Sequence, residues 1–158
     1  MKKGSTLFLK LVICFVAIGA FIWLIWFPQL EGRAANLDLI SIYIDPLIIY
    51  TYIGSTPFFV ALYQAFKLLG HIECNKIFSQ PSVNAVKNIK NCALIFSSFI
   101  VLGILYIRLF VRGDDSAGVT ALGIFTTFAS LVIATAAAIF QRLLQNAVDI
   151  KSENDLTV

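Results

Sequence analysis

Long apolar runs alternate with short polar stretches along this chain, and four of the runs are long enough to be transmembrane helices. They cover about residues 7–27, 47–69, 92–111 and 117–140. A helix of about 20 apolar residues crosses a hydrocarbon core that is about 30 Å thick. Each run must be helical, because backbone groups without hydrogen-bond partners are too costly in lipid. The pattern predicts an all-α integral membrane four-helix bundle that occupies residues 1–158 as a single domain.

The helical pattern continues past the apolar runs at one end of the predicted bundle. Ser79 or Ser82 can cap a helix that starts well before the third run. Apolar residues share one face of this segment, while polar residues fall on the other: Val83, Val86, Ile89, Ala93 and Leu94 against Asn84, Lys87, Asn88 and Asn91. After the fourth run the apolar face continues through Leu143, Leu144, Ala147 and Val148. We therefore expect the second, third and fourth helices to extend into the cytoplasm, followed by a tail at about residues 150–158 that frays from residue 152.

The second run carries a helix-start signal and an internal proline. Asp45 is a favoured N-cap, and Pro46 suits the first helical position because its missing N–H would have no partner there. Pro57 predicts a kink within the span. Ser55 and Thr56 either compensate the freed backbone groups or line a small pocket at the kink together with Pro57. Both interpretations of these residues remain open.

Small residues recur at every fourth position of the fourth run, a spacing that places them on nearly the same side of a helix. These are Thr126, Ser130, Ala134 and Ala138. Small side chains let helix backbones approach closely in a membrane. The stripe predicts the face on which the fourth helix packs against a neighbour.

Composition supports the membrane assignment, and the distribution of charge orients the chain. Hydrophobic residues make up 59% of the sequence, too many for a soluble domain of this size. With both termini inside, the inner side holds most of the basic residues: Lys2, Lys3, Lys10, Lys67, Lys76, Lys87, Lys90, Arg142 and Lys151. The outer side holds Arg33, Arg108 and Arg112. The positive-inside rule then places the N and C termini in the cytoplasm, with membrane lipids as the first partners.

The first run is expected to be a retained helix and not a cleaved signal peptide. It is longer than the apolar region of a usual signal peptide, and no small-residue cleavage site follows it. Trp23 and Trp26 suit the outer membrane interface. Pro28 is expected to end this helix.

The titratable and nucleophilic residues do not form a recognisable catalytic group. His71 is expected to be solvated or interfacial, with a pH-sensitive pair to Glu73 as the alternative. Asp114 and Asp115 are interpreted as helix caps, with an external cation site as the alternative. The cysteines show no C-x-x-C spacing. We therefore expect a protein that is not an enzyme and that has no metal site or cofactor.

From about residue 46 onward the sequence resembles a family of small bacterial integral membrane proteins, domain of unknown function (DUF) 2975. The resemblance rests on residues 67–69, 75–79, 82–83, 87–90, 113–118, 143–147 and 149–158. The last segment is the most specific, since a polar tail has no packing reason to take that form. The resemblance implies four transmembrane helices in a bacterial cytoplasmic membrane and no known enzymatic activity. It also implies a frequent gene neighbour, a small helix-turn-helix regulator of the Cro/repressor type.

Two hypotheses for the function follow. The first is a non-enzymatic membrane sensor or regulatory partner that presents its inner helix ends and tail to a cytoplasmic helix-turn-helix regulator, without binding nucleic acid itself. The hypothetical contact residues are Asp149, Lys151, Glu153 and Asp155. The alternative is a membrane protection or export factor against a peptide or lipophilic compound, which would use the outer loops and the kink in the second helix.

Overall fold

A computed structural model of the chain describes residues 3–30, 43–110 and 116–155. Within these residues the chain forms four α-helices. They are α1 (Lys3–Leu30), α2 (Pro46–Glu73), α3 (Gln80–Phe110) and α4 (Ser116–Asp155). Each contains a stretch long and apolar enough to cross a membrane. The predicted all-α, four-span fold is confirmed.

The helices pack in chain order, and each is antiparallel to the next. The interface between α3 and α4 is the most extensive, α2 packs on α3, and α1 has the smallest interface, against α2. The starts of α1 and α3 therefore lie beside the ends of α2 and α4, and we call this end of the bundle the terminal end. Side-chain contacts mark it: Lys10 pairs with Glu73, and Gln80 with Gln145.

The α3–α4 interface follows a spacing of alternately three and four residues along both helices. On α4 its buried and half-buried positions are Thr120, Gly123, Thr127, Ser130, Ala134, Ala137, Gln141, Leu144 and Val148. On α3 they are Val83, Val86, Lys90, Ala93, Ser97, Ile100 and Ile104. This is the spacing that keeps one face of a helix against a partner over many turns. We call these two sets of positions the α3–α4 seam.

The seam corrects the predicted four-residue stripe on α4. Ser130 and Ala134 are buried, and the Ser130 hydroxyl donates to the Ala93 carbonyl of α3 at 2.8 Å. Thr126, by contrast, is exposed and donates to the Leu122 carbonyl of its own helix. A step of four residues rotates about 40° too far each time, so a strict four-residue stripe drifts off the contact face. Close packing also explains Gly123, where an added Cβ would lie 2.7 Å from Ile104 Cδ1.

Prolines lie inside two helices, and Pro28 departs from its prediction, whereas the kink predicted at Pro57 stays a prediction. Pro28 does not end α1, which continues to Leu30. The Leu24 carbonyl, which the missing N–H of Pro28 leaves without its helical donor, accepts a hydrogen bond from the Tyr52 hydroxyl of α2 at 3.1 Å. Pro57 lies inside α2, as expected.

The start of α2 agrees with the prediction, and the end of α4 does not. Asp45 is the N-cap of α2, as predicted, and its carboxylate accepts from the Leu47 N–H at 2.9 Å. Helix α4 runs on through Asp155, so the segment expected to fray from residue 152 is helical to that point. Its 40 residues give a helix about 60 Å long, roughly twice the thickness of the hydrocarbon core. Residues 156–158 lie outside the described part of the chain.

Candidate functional site at the terminal end of the bundle

A small hydrophobic core holds the terminal end together. Its centre is formed by Val83 and Val86 of α3 and Leu144 of α4, each at most 3% exposed. Further apolar side chains surround this centre, and they come from α2, the α2–α3 connection, and α4: Leu68, Ile77, Ala137 and Val148. The predicted apolar faces of α3 and α4 do meet here, although Leu143 is 62% exposed and points away from the core. The terminal end is therefore a packed unit and not a set of separate helix ends.

The connection between α2 and α3 is fixed by a network around Ser82. The Ser82 side chain is fully buried, and its Oγ lies 3.2 Å from the Lys76 carbonyl oxygen and 3.1 Å from His71 Nδ1. Ser79 Oγ lies 3.2 Å from Ser82 Oγ and donates to the Lys76 carbonyl at 2.6 Å. Asn75, with φ of 54°, takes the left-handed conformation that reverses the chain after α2. Of the two predicted caps, Ser79 precedes α3, and Ser82 serves as the centre of the network.

The network specifies the surroundings of His71. Its ring is half-buried and bonds to Ser82, so His71 is not a freely solvated residue. Nor does it pair with Glu73, whose carboxylate lies 2.5 Å from Lys10 Nζ of α1. Residues two apart on a helix point in nearly opposite directions, which explains why the two side chains have different partners.

Lys10 also lies over the ring of Phe66, 5.3 Å from its centroid. The ammonium group thus contacts both a carboxylate and an aromatic face of α2. These contacts attach the start of α1 to the last two turns of α2, directly before the α2–α3 connection. A charged side chain near the end of a membrane span is held here by specific partners in addition to any lipid headgroups.

A shallow hollow opens beside the connection, where α4 continues past the start of α3. It is lined by Phe78, Ala147, Ile150, Lys151 and Asn154, and we call it the end hollow. The four α4 residues are spaced as one face of a helix. Phe78 and Ile150 are 53% and 61% exposed. Ile150 and the ring of Phe78 thus offer an apolar surface with a polar margin.

The end hollow lies past the apolar run of α4, unlike the exposed apolar side chains of the spans. The apolar run of α4 ends at Phe140, and Gln141 and Arg142 follow. Ile150 is ten residues further along the same helix, which corresponds to about 15 Å of helix rise. The headgroup layer adds only about 5–8 Å to each side of the hydrocarbon core. A helix that leaves the hydrocarbon at Phe140 and runs along the membrane normal would thus carry Ile150 beyond the headgroups.

The structure distributes the four hypothetical contact residues over more than one face of α4. Asp149 is exposed and accepts from the Gln145 side chain at 2.8 Å. Glu153, one turn further on, is exposed on the same face. Lys151 lines the end hollow, and Asp155 is the last residue of α4. Sequence reasoning missed Phe78 as a site residue, since only the fold brings the connection beside residues 147–154.

The hydroxyl groups at the predicted kink are used inside their own helix. Ser55 and Thr56 donate to the Tyr52 carbonyl at 2.8 and 3.3 Å. The predicted acceptor was the carbonyl freed by Pro57, which belongs to Ile53, so the observed acceptor is one residue earlier. The pocket at this kink stays a prediction. The predicted caps Asp114 and Asp115 lie outside the described residues.

Comparison with known proteins places the chain in a family. The family model described as a protein of unknown function, DUF2975, matches residues 7–158. The chain belongs to this family. The match includes α1, which lies outside the segment on which the resemblance was based. Both the family resemblance and the multi-pass membrane assignment are confirmed.

A relative that matches over its full length exists in Bacillus subtilis. It is called the uncharacterized membrane protein YoaS, and it is 45% identical over 160 residues, which cover 100% of both chains. No solved structure matches the chain. The comparisons therefore establish a family of membrane proteins and leave the activity to be inferred from the geometry of the chain.

Proposed function

We propose that this protein is a non-enzymatic membrane sensor or regulatory partner whose terminal end binds a cytoplasmic helix-turn-helix regulator. The observation that supports the proposal most is the packed terminal end, where α4 continues past its apolar run and Phe78 and Ile150 are exposed. A helix end that served only to anchor the span would need neither the buried core at Val83, Val86 and Leu144 nor the extension of α4. A rigid, partly apolar surface in water is typical of a protein-binding site.

The orientation is part of the proposal. Basic residues concentrate at the terminal end, at Lys67, Lys76, Lys87, Lys90 and Arg142, and Arg108 lies at the opposite end of α3. This asymmetry favours a cytoplasmic terminal end. The relative from Bacillus subtilis supports a bacterial cytoplasmic membrane as the location.

A sensor also needs an element that responds to a signal, and we assign that role to α1. Among the described helices it has the smallest interface, and its span has the smallest buried share. Its Lys10 binds Glu73, and the connection that carries Phe78 begins at the next residue. A displacement of α1 would thus act close to the end hollow.

The test uses photo-crosslinking at the terminal end in living cells of the native host. A benzophenone amino acid replaces Asn84 on the exposed face of α3 or Ser152 on α4, and the matched control places it at Phe125, which is 75% exposed in the span. We expect Asn84 or Ser152, but not Phe125, to give an adduct with a DNA-binding regulator. We also expect deletion of the membrane protein to change transcription of that regulator's targets.

The proposal is wrong if no regulator is crosslinked from the terminal end and the transcript profile is unchanged by the deletion. An adduct with a peptide, or a lipophilic compound that copurifies with the protein, would instead support the protection or export alternative. A chemical reaction catalysed by the purified protein would contradict its assignment as a non-enzyme.

A further inference from the structure

We propose that a groove between α3 and α4, at the border of their apolar spans, binds an anionic phospholipid. The site uses Lys87 and Lys90 of α3 and Arg142 of α4, and we call it the basic groove. It lies on the side of the α3–α4 seam away from α2 and from the end hollow. The inference goes beyond the proposed function, because it requires neither a regulator nor a particular orientation of the chain.

The two sides of the seam have different neighbours. On one side, Ser82 and Phe96 of α3 contact α2. On the same side of α4, Lys151 lines the end hollow beside the α2–α3 connection. Helical spacing in antiparallel neighbours places Lys87 and Arg142 together on the opposite side of the seam. Both side chains are exposed, so this side is open to a ligand.

The basic groove lies at the level of the lipid headgroups. The apolar run of α3 begins at about residue 92, two residues after Lys90, and that of α4 ends at Phe140, directly before Gln141 and Arg142. Lys90 Nζ donates to Gln141 Oε1 at 3.0 Å, so the two borders lie side by side. The headgroup layer adjoins the hydrocarbon core. The phosphate of a lipid in the same leaflet is therefore within reach of these residues.

The charges of the groove call for an anion. Among the described residues, no ion pair links Lys87, Lys90 or Arg142 to a carboxylate. The first acid after Arg142 along α4 is Asp149, seven residues away, and it accepts from the Gln145 side chain. The Lys90 ammonium is half-buried and bonds to a neutral amide oxygen, which leaves two of its three donors for a further partner. A partly buried cation is stabilised by an opposite charge.

Apolar side chains next to the cations favour a lipid over a free anion. Leu94 lies one turn into the span from Lys90, Leu131 lies on the same side of α4, and each is 43% exposed. Ala138, one turn before Arg142, is half-buried, and its small side chain lets an acyl chain approach the seam. A phospholipid covers these side chains while its phosphate meets the cations, whereas inorganic phosphate contacts the cations alone. A soluble protein does not reach residues within the span.

The test measures which lipids the full chain retains in an uncharged detergent, by native mass spectrometry. The probes are phosphatidylglycerol, which is anionic, and phosphatidylcholine, which has no net charge, at equal concentrations. We expect the first phosphatidylglycerol molecule to bind about tenfold more tightly than phosphatidylcholine, because basic side chains at headgroup level attract anionic lipid. Inorganic phosphate at the same concentration should not displace it, since phosphate gains nothing from the apolar side chains.

Variants locate the lipid on the protein. Lys87→Gln combined with Arg142→Gln should weaken binding of phosphatidylglycerol about tenfold and leave binding of phosphatidylcholine unchanged. The matched control, Lys67→Gln combined with Lys76→Gln, removes the same charge from α2 and the α2–α3 connection and should keep the preference. All four side chains are exposed, so the fold should tolerate each change. The melting temperature without added lipid verifies that both variants are folded.

Three results would overturn the inference. Equal binding of the two lipids would show that the cations of the groove are simply solvated. An equal loss of binding in the control variant would indicate a general effect of net charge and no site. Displacement by inorganic phosphate would indicate a site for a free anion. The crosslinking experiment tests the proposed function separately, so either proposal can fail while the other stands.

Discussion

Replacement of Tyr52 with phenylalanine tests how α1 continues through Pro28. The Tyr52 hydroxyl donates at 3.1 Å to the Leu24 carbonyl, which lacks a helical donor because Pro28 has no N–H. Phenylalanine keeps the ring and removes the donor. The carbonyl belongs to Leu24, which is 8% exposed, so water does not replace the donor easily.

The expected magnitude is moderate. A hydrogen bond between membrane helices contributes about 0.6 kcal/mol on average and at most about 1.7 kcal/mol. A buried carbonyl without a partner costs about 1–3 kcal/mol. We expect Tyr52→Phe to lower the free energy of unfolding by about 1–2 kcal/mol. The larger loss is expected if no water molecule reaches the Leu24 carbonyl. At about 2–4 °C per kcal/mol, the apparent melting temperature falls by about 2–8 °C.

A double-mutant cycle tests whether the effect of Tyr52→Phe depends on Pro28. Pro28→Ala restores the N–H that an uninterrupted helix directs at the Leu24 carbonyl. Tyr52→Phe should therefore cost less in the Pro28→Ala background than in the wild type, with a coupling energy of about 0.5–1 kcal/mol. The measurement is thermal denaturation in detergent, followed by size-exclusion chromatography of the folded fraction. Tyr63→Phe is the matched control, since Tyr63 is 65% exposed. Additive effects of the Pro28 and Tyr52 changes would refute the account.

Three further predictions use the same protein and detergent. Ala134→Leu should destabilise the α3–α4 seam by about 1–3 kcal/mol through overpacking, whereas Ala136→Leu on the exposed side should not; equal melting temperatures for the two variants would show that the seam is misplaced. A membrane-impermeant thiol reagent added outside intact cells should miss Ser152→Cys and reach Gly118→Cys at the start of α4, and the reverse result would invert the proposed orientation. Deletion of residues 150–158 should leave the melting temperature nearly unchanged and abolish the regulatory output; unchanged stability with unchanged output would contradict a role for this segment.

Local patterns predicted the helices and several of their ends. Hydropathy predicted the four spans, and the Asp45-Pro46 pair predicted the start of α2. The apolar positions before residue 92 and after residue 140 predicted that α3 and α4 extend beyond their spans. Each of these signals lies within a few turns of the element that it predicts. Physical reasoning on one segment at a time is sufficient for them, because the hydrogen bonds of a helix are local.

The predictions that failed did so because each feature depends on a residue distant in the sequence. Pro28 was expected to end α1, and the hydroxyl that compensates it comes from Tyr52 of the next helix. A pair of His71 with Glu73 was the alternative interpretation, and the partner of Glu73 is instead Lys10, 63 residues away. The four-residue stripe on α4 failed because the contact face is set by the path of α3 along it. None of these partners follows from composition or periodicity.

In the candidate site, too, the sequence indicated some residues and missed those that only the fold brings together. The acids and Lys151 at the end of α4 were visible as a polar, charged segment. Phe78 follows Ile77 in a short polar connection, and Ile150 lies between Asp149 and Lys151, and neither pattern by itself indicates a site. They become informative because the seam holds α4 beside the connection, which brings Phe78 next to residues 147–154. In a membrane protein, an exposed apolar side chain is informative only where lipid cannot cover it, and the proposed function places the end hollow in such a position.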